Sequence, residues 1–269
     1  RSEFEARYTE DVDGAALLEA HVSPFMLRRR ISDVAQDLPQ RIDIPQVVEL
    51  SDQEAVEYEE VRERIAREYG AAATLVALTE LRRFCAHPAL LTGASGADAL
   101  GFSKFQRLDE ILREIFQKDE KVLVFTSFTA MADMISRHVS SRLRTFSAVI
   151  DGRLPIDERQ PLIDTFSAIH GAGALVLNPR AGGTGLNITA ANHVIHYNPE
   201  WNPALEDQAS ARAYRRGQDL PVTVHRLLVA DSVEDVISER LVRKREIAAM
   251  AVVGVEGSNQ DYGDIISAL

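Results

Sequence analysis

The sequence predicts an α/β fold in which a parallel β-sheet is covered by helices on both faces. Short apolar runs typical of buried strands, such as KVLVF at 121–125 and ALVL at 174–177, alternate with amphipathic segments of helical period. This alternation repeats from residue 103 to about residue 250. Strands that alternate with helices in this way form βαβ units, whose strands lie parallel in one sheet.

Composition limits the class of protein and its partners. The 269 residues are enough to bury a substantial core, and no apolar run approaches the length of about 18 residues that a membrane span needs, so we expect a globular protein without a membrane partner. Cys85 is the only cysteine, which excludes a disulfide within the chain and favours a reducing, intracellular compartment. The net charge of −11 argues against nucleic-acid binding through the overall field, so any such contact must be local.

Residues 23–50 are predicted to form an extended connector, because three prolines separate short apolar groups there. An arginine cluster at 28–30 could meet a phosphate. A solvated charge run is the interpretation we prefer for it.

Two helices are predicted to follow the connector. Ser51 and Glu54 have the spacing of a capping box, which places the start of the first helix near Asp52. The second helix runs to about His87, because the residue before Pro88 is disfavoured in the helical region.

Cys85 and His87 raise the question of a metal site. One cysteine and one nearby histidine make at most half of such a site. We therefore interpret Cys85 as a core residue and expect no metal ligands.

The alternating part of the chain begins after a loop of small residues at 92–102. Strands are predicted at 121–125, 146–150, 174–177, 193–197 and 222–229, and helices at 103–116, 131–139, 155–168, 203–215 and 232–250. His138 is expected to be a partly exposed residue of its helix rather than a ligand.

Ligands of open parallel sheets gather at the carboxyl ends of the strands, so the loops after 125, 150, 177 and 197 are the informative ones. The loop after 177 contains Gly182, Gly183 and Gly185, which let the backbone approach a ligand and expose amide hydrogens to an anion. Most turns of this kind only reverse the chain.

The loop after 197 contains Trp201, the only tryptophan, between two prolines. A tryptophan in a polar loop could brace a nucleic-acid strand, and packing against the neighbouring helix is the alternative. Arg212 and Arg215 are three residues apart on the helix predicted there, with Gln208 one turn earlier on the same face. Such a row can present guanidinium groups to a phosphate, although a solvated basic face is the usual explanation.

The order of these motifs resembles the C-terminal helicase-type lobe of the Swi/Snf family of ATP-dependent DNA translocases, in helicase superfamily two. The resemblance rests on FTSF, DGRLPIDERQPLIDTF and RAGGTGLNITAANHVIHYNPEWNPALEDQASARAYRRGQ. The succession of WNP, DQA and RAxRxGQ is its most specific part. Upstream, PFMLRRRISDVAQDLP and LRRFCAHPALL resemble the inter-lobe connector and helical insertion of that family.

The resemblance implies a RecA-like parallel sheet flanked by helices, with an N-terminal connector and a helical insertion. It divides the chain into a connector at 1–50, the helical insertion at 51–102, the C-terminal helicase lobe at 103–250 and a tail at 251–269. The protein would then work beside DNA, in the cytoplasm or nucleoid of a prokaryote or the nucleus of a eukaryote. The abundance of arginine and alanine favours the prokaryote.

The resemblance also implies roles for single residues. Arg212 and Arg215 match the arginines that reach the ATP phosphates, and Gln208 matches the glutamine beside them. Gly183, Gly185 and Asn187 lie in the loop that couples the nucleotide cleft to the nucleic-acid track. The positions that face or adjoin the DNA strand are Ser127, Arg180, Gly182, Thr184, Trp201 and Asn202.

The cofactor implied is ATP with Mg²⁺. The sequence contains no G-x-x-x-x-G-K-[ST] phosphate loop and no acidic box for Mg²⁺, so the N-terminal lobe of the same parent protein would hold the nucleotide. We expect the 269-residue chain alone to neither bind ATP tightly nor hydrolyse it.

The implied function is the second motor lobe of a double-stranded-DNA translocase that remodels protein–DNA complexes. Its partners are duplex DNA, the N-terminal lobe and a DNA-bound protein. Two alternatives remain open, namely a lobe of a strand-separating RNA or DNA helicase and a non-catalytic module that docks a protein through the helices at 51–91.

Overall fold

The computed structural model describes residues 38–69, 74–93, 98–182 and 185–250. The arginine cluster at 28–30 and the tail at 251–269 lie outside the described residues. The same holds for Gly183 and Thr184.

The described strands form one parallel sheet. They are β1 (Arg41–Val48), β2 (Lys121–Phe125), β3 (Phe146–Ile150), β4 (Gly173–Leu177), β5 (His193–His196) and β6 (Val222–Val229). Their order across the sheet is β1-β6-β5-β2-β4-β3, and every neighbouring pair is parallel. The predicted α/β class and the five predicted strands are therefore confirmed.

Helices connect the strands. They are α1 (Asp52–Tyr69), α2 (Thr74–Ala86), α3 (Ala89–Thr92), α4 (Ser103–Phe116), α5 (Thr129–Ser141), α6 (Ile156–Ala168), α7 (Pro203–Ser210) and α8 (Val233–Met250). Short 3₁₀ turns lie at 99–101 and 179–182. All the predicted helices are present, and the one after β5 is shorter than predicted.

Both faces of the sheet are covered by apolar packing, as the continuous apolar strands predict. In β2, Val122 and Val124 belong to a core shared with α2, α4, α5 and α8, whereas Leu123 and Phe125 belong to a second core with α6 and α7. Alternate residues of a strand point to opposite faces, so a central strand buried on both sides must be apolar throughout.

The connector contributes a strand that the sequence did not predict. Residues 41–48 pair with β6 along their whole length. Pro45 lies in the middle of this strand, which is tolerated because β1 is at the edge of the sheet, where the missing N–H breaks no central ladder. The segment is extended as expected, but it is part of the sheet.

The capping box at the start of α1 is confirmed and has a second function. The Ser51 amide donates to Glu54 Oε2 at 2.8 Å, and the Ser103 amide at the start of α4 donates to Glu54 Oε1 at 2.7 Å. Burial alone would raise the pKa of Glu54, but these hydrogen bonds outweigh it and hold the pKa below its ordinary value. One carboxylate therefore joins the helical insertion to the lobe.

Cys85 of the helical insertion and His138 of α5 both have structural roles in the core. Cys85 is completely buried in the core, as predicted, and burial raises the pKa of its thiol. The expectation of a partly exposed His138 is wrong, because its ring is buried and its Nε2 lies 2.7 Å from Asp109 Oδ1. Burial alone would raise the pKa of Asp109, and the hydrogen bonds from Arg113 and His138 lower it instead.

A buried ion pair lies beneath the carboxyl edge of the sheet. The side chains of Lys104 and Glu234 are both 0% exposed, and Lys104 Nζ is 2.5 Å from Glu234 Oε2. Glu234 also accepts hydrogen bonds from Asn198 Nδ2 at 3.1 Å and from the Val229 amide at 3.1 Å. A buried charge is stable only where such partners satisfy it.

We expect Glu234→Gln to lower the free energy of unfolding by about 3–5 kcal/mol, because it leaves the ammonium of Lys104 buried without its counter-charge. Urea unfolding followed by circular dichroism measures the change. Glu239→Gln, at an exposed position of the same helix, is the matched control and should stay within about 0.5 kcal/mol of the unsubstituted chain. Equal midpoints for the two variants would show that the pair contributes nothing.

Stability should also fall in acid because of His225 on β6. Burial, followed by the charges of His193 and Arg107, lowers the pKa of His225 from 6.5 to about 4. Between these two values the unfolded chain binds a proton that the folded chain does not, so folding weakens as the pH falls from about 6.5 to about 4, by about 3 kcal/mol at most.

Replacing His225 by glutamine should flatten this part of the pH–stability curve, measured as the urea midpoint between pH 7 and pH 4. The matched replacement at the exposed His170 should leave the curve as it is. A curve that keeps its full slope in His225→Gln would assign the acid sensitivity to other groups.

Candidate functional site

Three loops meet at the carboxyl edge of the sheet, where the sequence places ligands. Thr126 Oγ1, after β2, donates to Asn198 Oδ1, after β5, at 2.9 Å. Asn178 Nδ2, after β4, donates to the Ser127 carbonyl at 3.3 Å. The predicted loops are therefore adjacent and joined to each other by side chains.

The predicted DNA-facing residues of the first two loops differ in their exposure and in the hydrogen bonds that they make. Arg180 is exposed, and its amide is fixed by Asn178 Oδ1 at 2.9 Å. Ser127 is half-buried, and its hydroxyl donates to Glu200 Oε1. Gly182 ends the 3₁₀ turn at 179–182.

The third loop places Trp201 half-buried at the edge of the core, where the guanidinium of Arg82 lies 5.9 Å from its ring. Asn202 is exposed, and its side chain caps α7 by accepting from the Ala204 amide at 3.0 Å. Glu200 is buried, and burial raises the pKa of its carboxyl. Both readings of Trp201 thus keep support, since the ring packs and also remains partly exposed.

The arginines do not lie on the helix predicted for them. Helix α7 ends at Ser210, and the Arg212 amide bonds to the Ala209 carbonyl three residues back instead of four. The Arg212 carbonyl accepts from the Ile188 amide at 2.9 Å, and the Arg215 amide bonds to the Ala213 carbonyl, so the chain continues after Ser210 as a series of turns. The predicted common helical face of Gln208, Arg212 and Arg215 is therefore wrong.

Arg212 is buried, with 7% of its surface exposed. Its Nη2 donates to the Pro179 carbonyl at 3.0 Å, and its guanidinium lies 5.5 Å from the ring of Phe125. Nη1 is buried and has no hydrogen-bond partner among the described residues. Burial lowers the pKa of Arg212, although arginine stays protonated in proteins.

Arg215 is exposed, and its Nη1 donates to the Gly185 carbonyl at 3.3 Å. Gly185 has a φ of +43°, a conformation that glycine adopts without strain. Gly185, Asn187 and Gln208 are all exposed. The two arginines therefore present different surfaces, since Arg215 is open to a ligand and Arg212 supports the loop after β4.

Sequence reasoning missed Gln218, which fixes the arginine segment at 211–218. Its buried amide donates to the carbonyls of Thr189, Ala191 and Ala213 at 3.1, 2.8 and 3.3 Å. Its Oε1 accepts from the Leu220 amide at 3.0 Å. A glutamine directly after Gly217, whose φ of +96° makes a tight turn, was the available signal.

No cluster of three or more His, Cys, Asp or Glu side chains within the described ranges is arranged to hold a metal ion. None of the helices in that part of the chain has the length and apolar character needed to span a bilayer.

Two family models match the chain. The helicase conserved C-terminal domain matches residues 103–217, and the SNF2-related domain matches residues 1–90. The first range contains the three loops and the arginine segment except Gln218, and the second contains most of the helical insertion.

Curated relatives match most of the chain. The Bacillus subtilis protein YwqA is 34% identical over 241 residues, which are 86% of this chain and 26% of that protein. The SWI/SNF-related matrix-associated actin-dependent regulator of chromatin subfamily A member 1 of Mus musculus is 32% identical over 250 residues, with 87% of this chain and 24% of that protein covered. The chain thus spans about a quarter of the length of these relatives.

Among solved structures, the Sulfolobus solfataricus SWI2/SNF2 ATPase core in complex with dsDNA is similar. It superposes with a TM-score of 0.66 at 29% identity over 99% of this chain and 57% of that one. The parallel sheet flanked by helices is accordingly the RecA-like fold.

Replacing Gln218 by leucine should loosen the arginine segment, because it removes the donor for three backbone carbonyls at similar side-chain volume. We expect a loss of about 2 kcal/mol in the free energy of unfolding. Hydrogen exchange at the Ile188 amide, which bonds to Arg212, should become faster than in the unsubstituted chain.

Gln208→Leu is the matched control, since Gln208 is exposed on the preceding helix. It should leave both quantities as they are. Unchanged exchange at Ile188 in Gln218→Leu would mean that other contacts fix the segment.

Proposed function

The chain belongs to the Swi/Snf family and carries its C-terminal helicase lobe, and from this we propose that it is the second motor lobe of an ATP-dependent double-stranded-DNA translocase. The parent protein would step along one strand as ATP closes and opens its two lobes, and so remodel protein–DNA complexes. The lobe supplies arginine fingers and part of the DNA track.

One observation carries this proposal, namely the direct bonding of the loop after β4 to the arginine segment. The Ile188 amide donates to the Arg212 carbonyl at 2.9 Å, Arg212 Nη2 donates to the Pro179 carbonyl at 3.0 Å, and Arg215 Nη1 donates to the Gly185 carbonyl at 3.3 Å. The loop and the arginines are bonded at three points along the loop. A movement of either is passed to the other, which is what coupling between ATP and DNA requires.

The exposures of the two arginines favour different roles within the motor. Arg215 is exposed beside the glycine turn, so it is the arginine that can reach a phosphate held by the opposite lobe. Arg212 Nη2 is bonded to the Pro179 carbonyl, and its buried Nη1 has no partner among the described residues, so Arg212 holds the loop and would reach the nucleotide only after the segment rearranges. Gln208, exposed on α7, lies before them in the chain.

The nucleotide would be ATP with Mg²⁺, held mainly by the N-terminal lobe of the parent. The residues of this chain that would approach it are Arg212, Arg215 and Gln208, with Gly183, Gly185 and Asn187 in the coupling loop. Arginine and glycine amides are groups that bind phosphate oxygens. The two arginines would supply positive charge to the phosphates, and Mg²⁺ would be held by the other lobe.

Duplex DNA is the proposed track. The relative from Sulfolobus solfataricus was solved in complex with dsDNA, and its core matches nearly the whole of this chain. The residues proposed to face the strand are Ser127, Arg180, Gly182, Thr184, Trp201 and Asn202. Those described lie in the three loops of the carboxyl edge.

Arg215→Ala in the parent protein should reduce DNA-stimulated ATP hydrolysis by on the order of 10³-fold or more, the contribution of an arginine finger. A phosphate-release assay with and without duplex DNA measures it. Arg216→Ala is the matched control, because Arg216 is the adjacent exposed arginine. The 269-residue chain alone is the negative control.

Full turnover in Arg215→Ala would refute its role as the finger. Rapid turnover by the 269-residue chain would refute the need for a second lobe. Clear separation of strands by the parent would favour a strand-separating helicase over a translocase.

A further inference from the structure

Arg82, on helix α2 of the helical insertion, lies between two rings of the carboxyl edge. Its guanidinium carbon is 5.7 Å from the ring centroid of Phe128, after β2, and 5.9 Å from that of Trp201, after β5. Its Nη2 donates to the Pro199 carbonyl at 3.0 Å. A residue of the insertion thus contacts both loops at once.

A second contact fixes the same helix to the same loop. The Tyr197 hydroxyl donates to the Ala86 carbonyl, at the end of α2, at 2.7 Å. Tyr197 is fully buried, and Lys104 Nζ lies 5.0 Å from its ring. The two bonds span 117 and 111 residues of sequence, so they join parts of the chain that only the fold brings together.

The chemistry of Arg82 goes beyond filling space. Its Nε is buried without a hydrogen-bond partner among the described residues, which costs free energy that a methionine of similar length would avoid. A flat guanidinium can stack on aromatic rings and donate in its own plane at the same time, and a lysine cannot do both. The positive charge also acts on the buried Glu200 beside Trp201.

We propose that Arg82 is a positioning residue through which the helical insertion sets the orientation of Trp201 and of the loop at 199–202. The proposal rests on the proposed function, in which this loop meets the DNA strand. Arg82 acts on DNA through Trp201 and does not itself grip a phosphate. The insertion is then a functional part of the DNA track, and a change at α2 reaches the strand without passing through the sheet.

The neighbouring arginine provides the matched control. Arg83 follows Arg82 on α2, but its side chain is exposed and pairs with Glu80 on the same helix at 2.9 Å. The variants Arg82→Met and Arg83→Met therefore remove the same charge, one residue apart, with and without the loop contact.

Trp201 is the only tryptophan of the chain, so its fluorescence reports on this loop alone. The 269-residue chain and its variants are compared by acrylamide quenching of that fluorescence. Their affinity for a labelled DNA duplex is measured by anisotropy over a series of salt concentrations, and their thermal midpoints by circular dichroism.

In Arg82→Met we expect Trp201 to become more accessible to acrylamide and its emission to move to longer wavelength. The dissociation constant for the duplex should rise on the order of five- to tenfold, the size of a lost aromatic contact. The logarithm of the dissociation constant should keep its slope against the logarithm of the salt concentration, because no phosphate contact is removed.

Arg83→Met should match the unsubstituted chain in quenching. Arg82→Lys, which keeps the charge without the flat group, should show the same increase in quenching and replaces Arg82→Met if that variant does not fold.

Unchanged quenching in Arg82→Met would overturn the proposal. A weaker affinity together with a salt slope reduced by about one and unchanged quenching would make Arg82 a direct phosphate contact instead. If the unsubstituted chain binds no duplex, the proposed contribution of this lobe to the DNA track fails, and the quenching comparison alone decides the positioning role.

Discussion

The buried carboxylate of Glu234 needs several hydrogen-bond donors, and two of its donors are 130 and 36 residues away in the chain. Lys104 belongs to the helix before β2, Asn198 to the loop after β5, and Val229 to the end of β6. An ionised carboxylate that lost any of them would carry a desolvation cost of several kcal/mol. The loop after β5 is therefore tied, through Asn198, to a carboxylate that is buried beside Lys104.

The same loop is held on two other sides. Arg82 of the insertion bonds to it from one direction. From the other, Arg226 pairs with Asp43 of the connector at 2.6 Å and with Glu206 at 3.4 Å, and Glu206 accepts from the Glu200 amide at 3.2 Å. Functional loops gain precision from rigid support, and this loop is supported by the connector, the insertion and the core. Asp43 and Arg82 are thus more than parts of a link between lobes, since they belong to the contacts that support the loop that carries Trp201.

The five strands other than β1, the longer helices and the carboxyl-edge loops follow from the sequence because apolar period and strand ends are local properties. The end of α7 does not, because the turns after Ser210 include a bond from the Ile188 amide to the Arg212 carbonyl, and that amide lies in a loop more than twenty residues earlier in the chain. The ion pair of Lys104 and Glu234 could not be predicted from the sequence either, because only the fold brings the two side chains together. Its one local signal was a lysine on the apolar face of α4, four residues before Leu108, and no local signal names the partner. Roles of single site residues came from family resemblance, and the structure adds which of them are exposed.

A chain with a net charge of −11 can bind a polyanion if its acidic groups lie away from the binding surface or pair with basic residues there. Many arginines away from the carboxyl edge are paired, as Arg83 is with Glu80 and Arg153 is with both Asp133 and Asp151. At the edge, by contrast, Arg82, Arg180, Arg212 and Arg215 have no described carboxylate within 4.0 Å. Screening confines fields to about 8 Å at physiological salt, so a phosphate at this edge would experience the positive charge of these arginines and little of the distant negative charge. In the proposed function, the negative charge of the rest of the chain would oppose binding elsewhere and so favour the described carboxyl edge for nucleic acid and nucleotide.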